Sequence, residues 1–190
     1  MGTRHLIAVV KDNDYKVAQY GQWDGYLDGQ GQEVVDFLRD RLDREKFEIE
    51  LAKITWLTDE QIEKVEGTDN WTKEYPYLSR DCGASILDHV QDGDIELGLN
   101  NSVDFAGDSL FCEWAYVINL DTNELEIYKG FNDCPPNKGE RFADIPVDEP
   151  REGQTKYFPI LHFHTFKFSE LIDFEDFVKQ WIADENDKDE

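Results

Sequence analysis

At 190 residues and a formal net charge of −24, this chain is long enough for one ordinary core and too acidic to hold nucleic-acid phosphates directly. Hydrophobic residues make up 39%, with twelve Phe, eight Tyr and five Trp, which excludes global disorder. No apolar run approaches the ~18 residues of a membrane span, and Cys82, Cys112 and Cys134 are an odd count with no close pair.

No basic segment followed by a long apolar stretch opens the chain. A reduced, cytoplasmic protein with no cofactor and no metal is therefore expected. Three readings of the acidity compete: solubility, a surface that engages a basic partner by imitating nucleic-acid phosphates, and divalent-cation binding. For the last, Lys11-Asp12-Asn13-Asp14 lacks the glycine and terminal glutamate of a twelve-residue calcium loop.

In chain order, Leu6–Val10 and Tyr15–Tyr20 predict a hairpin around Lys11–Asp14. A helix is expected after Gly31, with Val34, Val35, Leu38 and Leu42 inward and Asp36, Arg39, Asp40 and Asp43 outward. Thr58-Asp59-Glu60-Gln61 spells a capping box, with Ile62 and Val65 as the buried edge of a short helix. Gly67–Tyr77 reads as loop, and Ser85–Val90 as the end of another helix.

Leu110–Leu120 is almost continuously apolar, the pattern of a strand buried on both faces. Asp121–Glu124 turns it into Leu125–Tyr128. Cys134–Gly153 reads as loop, with Phe142, Ile145 and Val147 pinned to the core. Ile160–Phe168 is a further strand. Ser169 is placed to cap a last helix with a Phe174, Phe177, Val178 and Trp181 stripe. The expected architecture is α+β, a layered antiparallel sheet with helices. It occupies one domain over residues 1–183, with an acidic tail from Asp184 to Glu190. Val34, Leu38, Leu110, Trp114, Tyr116, Phe163, Phe177 and Trp181 are the expected core.

The candidate ligand site is the N-terminal turn. There Tyr20, Trp23 and Tyr26 can wall a pocket, Thr3, Arg4, Gln22 and Asp24 supply polar contacts, and Gly25, Gly29 and Gly31 allow close backbone approach. Arg4 is expected to be buried and paired with Asp24 or Glu113. Candidate partner-binding acids are Asp36, Asp40, Asp43, Asp92, Asp94 and Glu96. His162 and His164, two apart on a strand, would share one face and could suit a metal, but Phe166 and Phe168 continue that side and favour an aromatic face. Cys112, inside the most apolar run, reads as core rather than nucleophile.

Two resemblances attach to these residues. Met1-Gly2-Thr3-Arg4, Tyr20–Tyr26, Arg80–Ala84, Asp108–Tyr116 and Tyr128–Asn132 resemble segments of a family of phage, bacterial and fungal proteins, and that likeness implies no particular activity. Gly21-Gln22-Trp23-Asp24 after the first two strands is similar to the start of choloylglycine-type N-terminal-nucleophile hydrolases, which implies an αββα layering. Those enzymes need a nucleophile at position two, where this chain has Gly2. The leading expectation is an acidic binding or inhibitory protein, of the anti-defence kind phages use, directed at a basic nucleic-acid-handling partner in the host cytoplasm. The alternative is a hydrolase-like or small-ligand site at the N-terminal turn.

Overall fold

Strand β1 (His5–Lys11) turns directly into β2 (Asp14–Gly21), because Asp12 and Asn13 both adopt the left-handed backbone of a two-residue hairpin loop. Their amide N–H groups donate to the Asp121 carboxylate at 2.9 Å each, which holds its pKa below the usual carboxylate value. The computed structural model describes residues 2–147, 150, 153 and 155–187. Strands β3 (Trp114–Asn119), β4 (Glu124–Lys129) and β5 (Leu161–Lys167) complete one sheet in the order β2-β1-β3-β4-β5.

The α+β class is as the sequence implies, with two corrections to its detail. The sheet is mixed, since β1 and β3 run parallel while the other pairs are antiparallel. The long helical connection from β2 brings β3 alongside β1 in the same direction. A single sheet is formed among the described residues, so the layering is not αββα.

Helices cover one face. These are α1 (Gln32–Asp36) between π-helical turns at Leu27–Gly31 and Phe37–Arg41, α2 (Arg44–Leu51), α3 (Asp59–Glu66), α4 (Trp71–Glu74), α5 (Ser85–Asp92) and α6 (Phe174–Asn186). Ile7, Val9, Tyr116, Ile118 and Ile127 meet Val34, Phe37, Phe47, Leu87 and Phe174 there. Leu6, Ala8, Val117 and Tyr128 face the other way, beneath Ala106, Cys112, Phe142 and Ile160. Thr58 and Gln61 form the capping box of α3 as the sequence spells it.

Several boundaries differ from the sequence expectations. Asp108–Phe111 form a turn rather than the start of β3, and Leu110 is exposed, not core. The amide of Phe131 donates to the Ser109 carbonyl at 2.7 Å, a loop contact outside the strand ladder. Gly67–Tyr77 is not all loop, since it contains α4 and the start of a 3-10 turn at Pro76–Leu78. Ser169 lies within the 3-10 turn Phe168–Asp173, and α6 starts only at Phe174. That helix continues through Asn186 and so includes Asp184–Asn186 of the expected tail. Residues 188–190 of the expected tail, and 148, 149, 151, 152 and 154 of and beside the expected loop, lie outside the described residues. Phe163, Phe177 and Trp181 are half-buried, joined with Trp114 in an aromatic cluster at the sheet edge. No helix among the described residues is long and apolar enough to cross a membrane.

Candidate functional site

The N-terminal turn is built around a buried histidine. His5 is 1% exposed, and neither ring nitrogen has a hydrogen-bond partner among the described residues. Burial drives its pKa down to about 4; the nearby Thr3 carbonyl offsets part of this without reaching hydrogen-bond geometry. The chain packs directly on the imidazole. A Cβ at Gly21 would strike the ring, and one at Gly25 would come within 2.8 Å of His5 Cβ, so these two glycines are required by close approach. Gly25 is pinned on both sides, its N–H donating to Thr3 O at 2.9 Å and its carbonyl accepting from the buried Tyr116 hydroxyl at 2.8 Å.

From this anchor the turn grips the loop at Ser79–Ala84. Gln22 N donates to Arg80 O at 2.9 Å, the Trp23 indole to Asp81 Oδ1 at 2.7 Å, and Ala84 N to Gln30 Oε1 at 2.6 Å. Gln19 adds a fourth tie, its Nε2 donating to Ser79 O and Tyr20 O at 3.2 Å each. The held loop forms one wall of a polar cleft of about 710 Å³. β2 supplies Gln19 and Tyr20 to it, the α3–α4 region Glu66, Trp71 and Thr72, and the segment after Leu99 supplies Asn100 and Ser102. Backbone bonds hold that last segment against β2, Ser102 N donating to Ala18 O at 3.0 Å.

The cleft contains polar groups that the protein does not satisfy. Gln19 is 5% exposed and spends its amide hydrogens on two backbone carbonyls, which fixes the amide orientation and leaves Oε1 without a donor. The Asn100 amide makes no hydrogen bond among the described residues, and its oxygen is buried. Arg80 forms no ion pair among them either, in a chain with 43 acidic residues. Of the two carbonyls only the Asn100 oxygen is both buried and unmet, at a cost of ~1–3 kcal/mol, while Gln19 Oε1 is left for a hydrogen-bond donor in the cleft.

The candidate residues divide around this geometry. Tyr20 lines the cleft and its hydroxyl donates to Gln22 Oε1 at 2.6 Å. Trp23 and Tyr26, expected to wall a pocket, are each 51% exposed and outside its lining; Trp23 instead holds Asp81 in place. Thr3 is buried under the turn, and Asp24 sits exposed at a left-handed corner. Arg4 corrects the expected ion pair. It is half-buried, its backbone N–H reaches Glu113 Oε1 at 3.3 Å, and its guanidinium lies 4.7 Å from the Phe111 ring centre with no carboxylate partner among the described residues. Arg4 precedes β1 at the end of the sheet, where the guanidinium is not fully desolvated and needs no ion pair. Trp71, Asn100 and Ser102 were not legible as site residues, since no motif connects them and only the fold brings them to β2.

Most acids proposed for partner contact have local partners. Asp36 and Asp40 bind Arg39 at 3.0 Å, Asp92 binds Lys46 at 2.7 Å, and Asp94 approaches His89 at 3.3 Å. Asp43 caps α2 through Lys46 N at 3.1 Å, while Glu96 has no ion pair among the described residues. The acids of α3 and the turn after it are different. Asp59, Glu60, Glu63, Glu66 and Asp69 are exposed and form no ion pair among the described residues.

Elsewhere the chemistry is structural. His162 and His164 do not share a face, because a bulge at Ile127/Tyr128 sets His162 against Tyr128 and His164 against Phe177 on the opposite side. No group of three metal-ligating side chains occurs among the described residues. Burial pushes the Cys112 thiol well up and Cys82 to about 11, so neither supplies a thiolate at neutral pH. Glu126 is partly buried in a second polar pocket. Burial alone would raise its pKa, but bonds from Arg141, Tyr128 and Asn119 outweigh this and hold it low. That cluster is internally satisfied, unlike the cleft. Comparison with protein-family models, curated proteins and solved structures gave no match.

Proposed function

We propose that this protein is a small-ligand-binding protein whose site is the polar cleft beside the N-terminal turn. The observation that carries the reading is two amide carbonyls with no donor among the described residues, the buried Asn100 Oδ1 and Gln19 Oε1, in a cleft of about 710 Å³ tied to the turn by hydrogen bonds. That volume lies within the ~300–1,000 Å³ of ordinary ligand sites. The contrasting pocket under α3, about 280 Å³ between Leu57, Val65, Tyr75 and Leu97, is mainly apolar. A thermal-shift screen against sugars, amino acids, nucleosides and polyamines tests the proposal. At least one class should raise the melting temperature of the wild type and fail to raise that of Trp71→Ala. No stabilising class, or equal stabilisation of both proteins, would contradict it.

A second reading has its own observation. The unpaired acids Asp59, Glu60, Glu63, Glu66 and Asp69 offer an array for a basic protein partner, and the anti-defence role implied by the phage resemblance belongs to this reading. Reversing Asp59, Glu60 and Glu63 to Lys should then slow association with a partner recovered at low salt. An unchanged rate and salt slope would dismiss it.

A further inference from the structure

Resting on the cleft as the ligand site, we infer that its ligand is a short neutral saccharide. The polar groups left over there are of both kinds. Gln19 Oε1 and Asn100 Oδ1 are carbonyl oxygens with no donor among the described residues, the Asn100 oxygen buried. Arg80 offers guanidinium donors with no carboxylate partner, and the Thr72 and Ser102 hydroxyls have no hydrogen-bond partner among the described residues.

Simple ions satisfy only half of this set. Phosphate is anionic and mainly an acceptor, so it would face two carbonyl oxygens as well as the carboxylates of Glu66 and Asp81. An ammonium ion only donates, and it would lie beside the Arg80 guanidinium. Hydroxyl groups on adjacent carbons donate and accept at once and carry no charge, so they can meet both sets together. Trp71, half-buried at the start of α4, also lines the cleft and offers an aromatic ring on which the C–H face of a sugar can pack. The chain's charge of −24 disfavours an anionic ligand and costs a neutral one nothing.

The test is a titration of the full-length protein with glucose, N-acetylglucosamine, maltose, cellobiose and chitobiose, followed by tryptophan fluorescence and calorimetry. At least one should bind saturably. Gln19→Leu removes an acceptor from the cleft lining and should weaken binding about tenfold or more, one decade per ~1.4 kcal/mol. Trp71→Ala and Arg80→Ala change partly or fully exposed side chains, so they report on binding even if the Gln19 variant folds poorly. Each should also weaken binding about tenfold, while Lys179→Ala, remote on α6, should leave it unchanged. Binding of an amino acid, a nucleoside or orthophosphate that depends on Gln19 and Trp71, with no saccharide binding, would overturn the saccharide assignment while keeping the cleft as the site. Binding of nothing on either panel would overturn both.

Discussion

At the scale of single residues, two buried polar side chains have opposite roles. His5 is sealed beneath Gly21 and Gly25 with no partner, so it serves the fold only while neutral. Its pKa is about 4 in the folded protein against an ordinary 6.5. Between those values the unfolded chain binds more protons, so stability is complete above pH 6.5 and is lost as pH falls toward 4. The loss amounts to about 3 kcal/mol. His164 is also lowered, so the test is a difference. Urea midpoints of the wild type should fall between pH 7 and 4.5 by clearly more than those of His5→Leu. Parallel declines would show that His5 is not held neutral. Gln19 is buried to a similar degree but lines the cleft, and its Oε1 accepts no hydrogen bond among the described residues, which under the proposed function makes it a binding group rather than a core position. Nothing in the local sequence separates these two cases, because the difference lies in what the fold places opposite each side chain.

Elements were legible where one pattern governed them. The hairpin, the α3 capping box and the inward face of Val34, Val35 and Leu38 follow from turn chemistry and spacing alone. Leu38 sits at 8% exposure in the helical layer, and Leu38→Ala should cost ~2–5 kcal/mol in denaturant unfolding. A midpoint unchanged at constant slope would place it outside the core. Expectations failed where contacts distant in sequence intervene. Leu110 and Phe111 continue an apolar run, yet the chain leaves the ladder there, and Phe131, which bonds to Ser109, has a left-handed backbone unusual for a bulky residue. The shared face expected of His162 and His164 disappears at a bulge whose partner strand lies some thirty-five positions earlier. The site was half legible for the same reason. Tyr20 and Gln22 belong to the recognisable turn, whereas Trp71, Asn100 and Ser102 come to it only through tertiary structure.

At the scale of the whole molecule, charge and site are separable. Basic residues pair with acids around α1, α2 and α5, but 19 cations cannot neutralise 43 anions. The remaining repulsion destabilises the compact state. Raising salt from about 0.01 M to about 0.1 M shortens screening from ~30 Å to ~10 Å, and the melting temperature should rise. A fall would mean that the surface ion pairs outweigh the excess charge. The cleft claim is tested most directly by amide chemical-shift mapping with a saturating amount of whichever compound stabilises the protein. Shifts should concentrate at Gln19, Tyr20, Trp71, Ser79–Asp81 and Asn100–Ser102. Shifts confined to the α3 acids or to the far end of the sheet, with those amides unmoved, would contradict it.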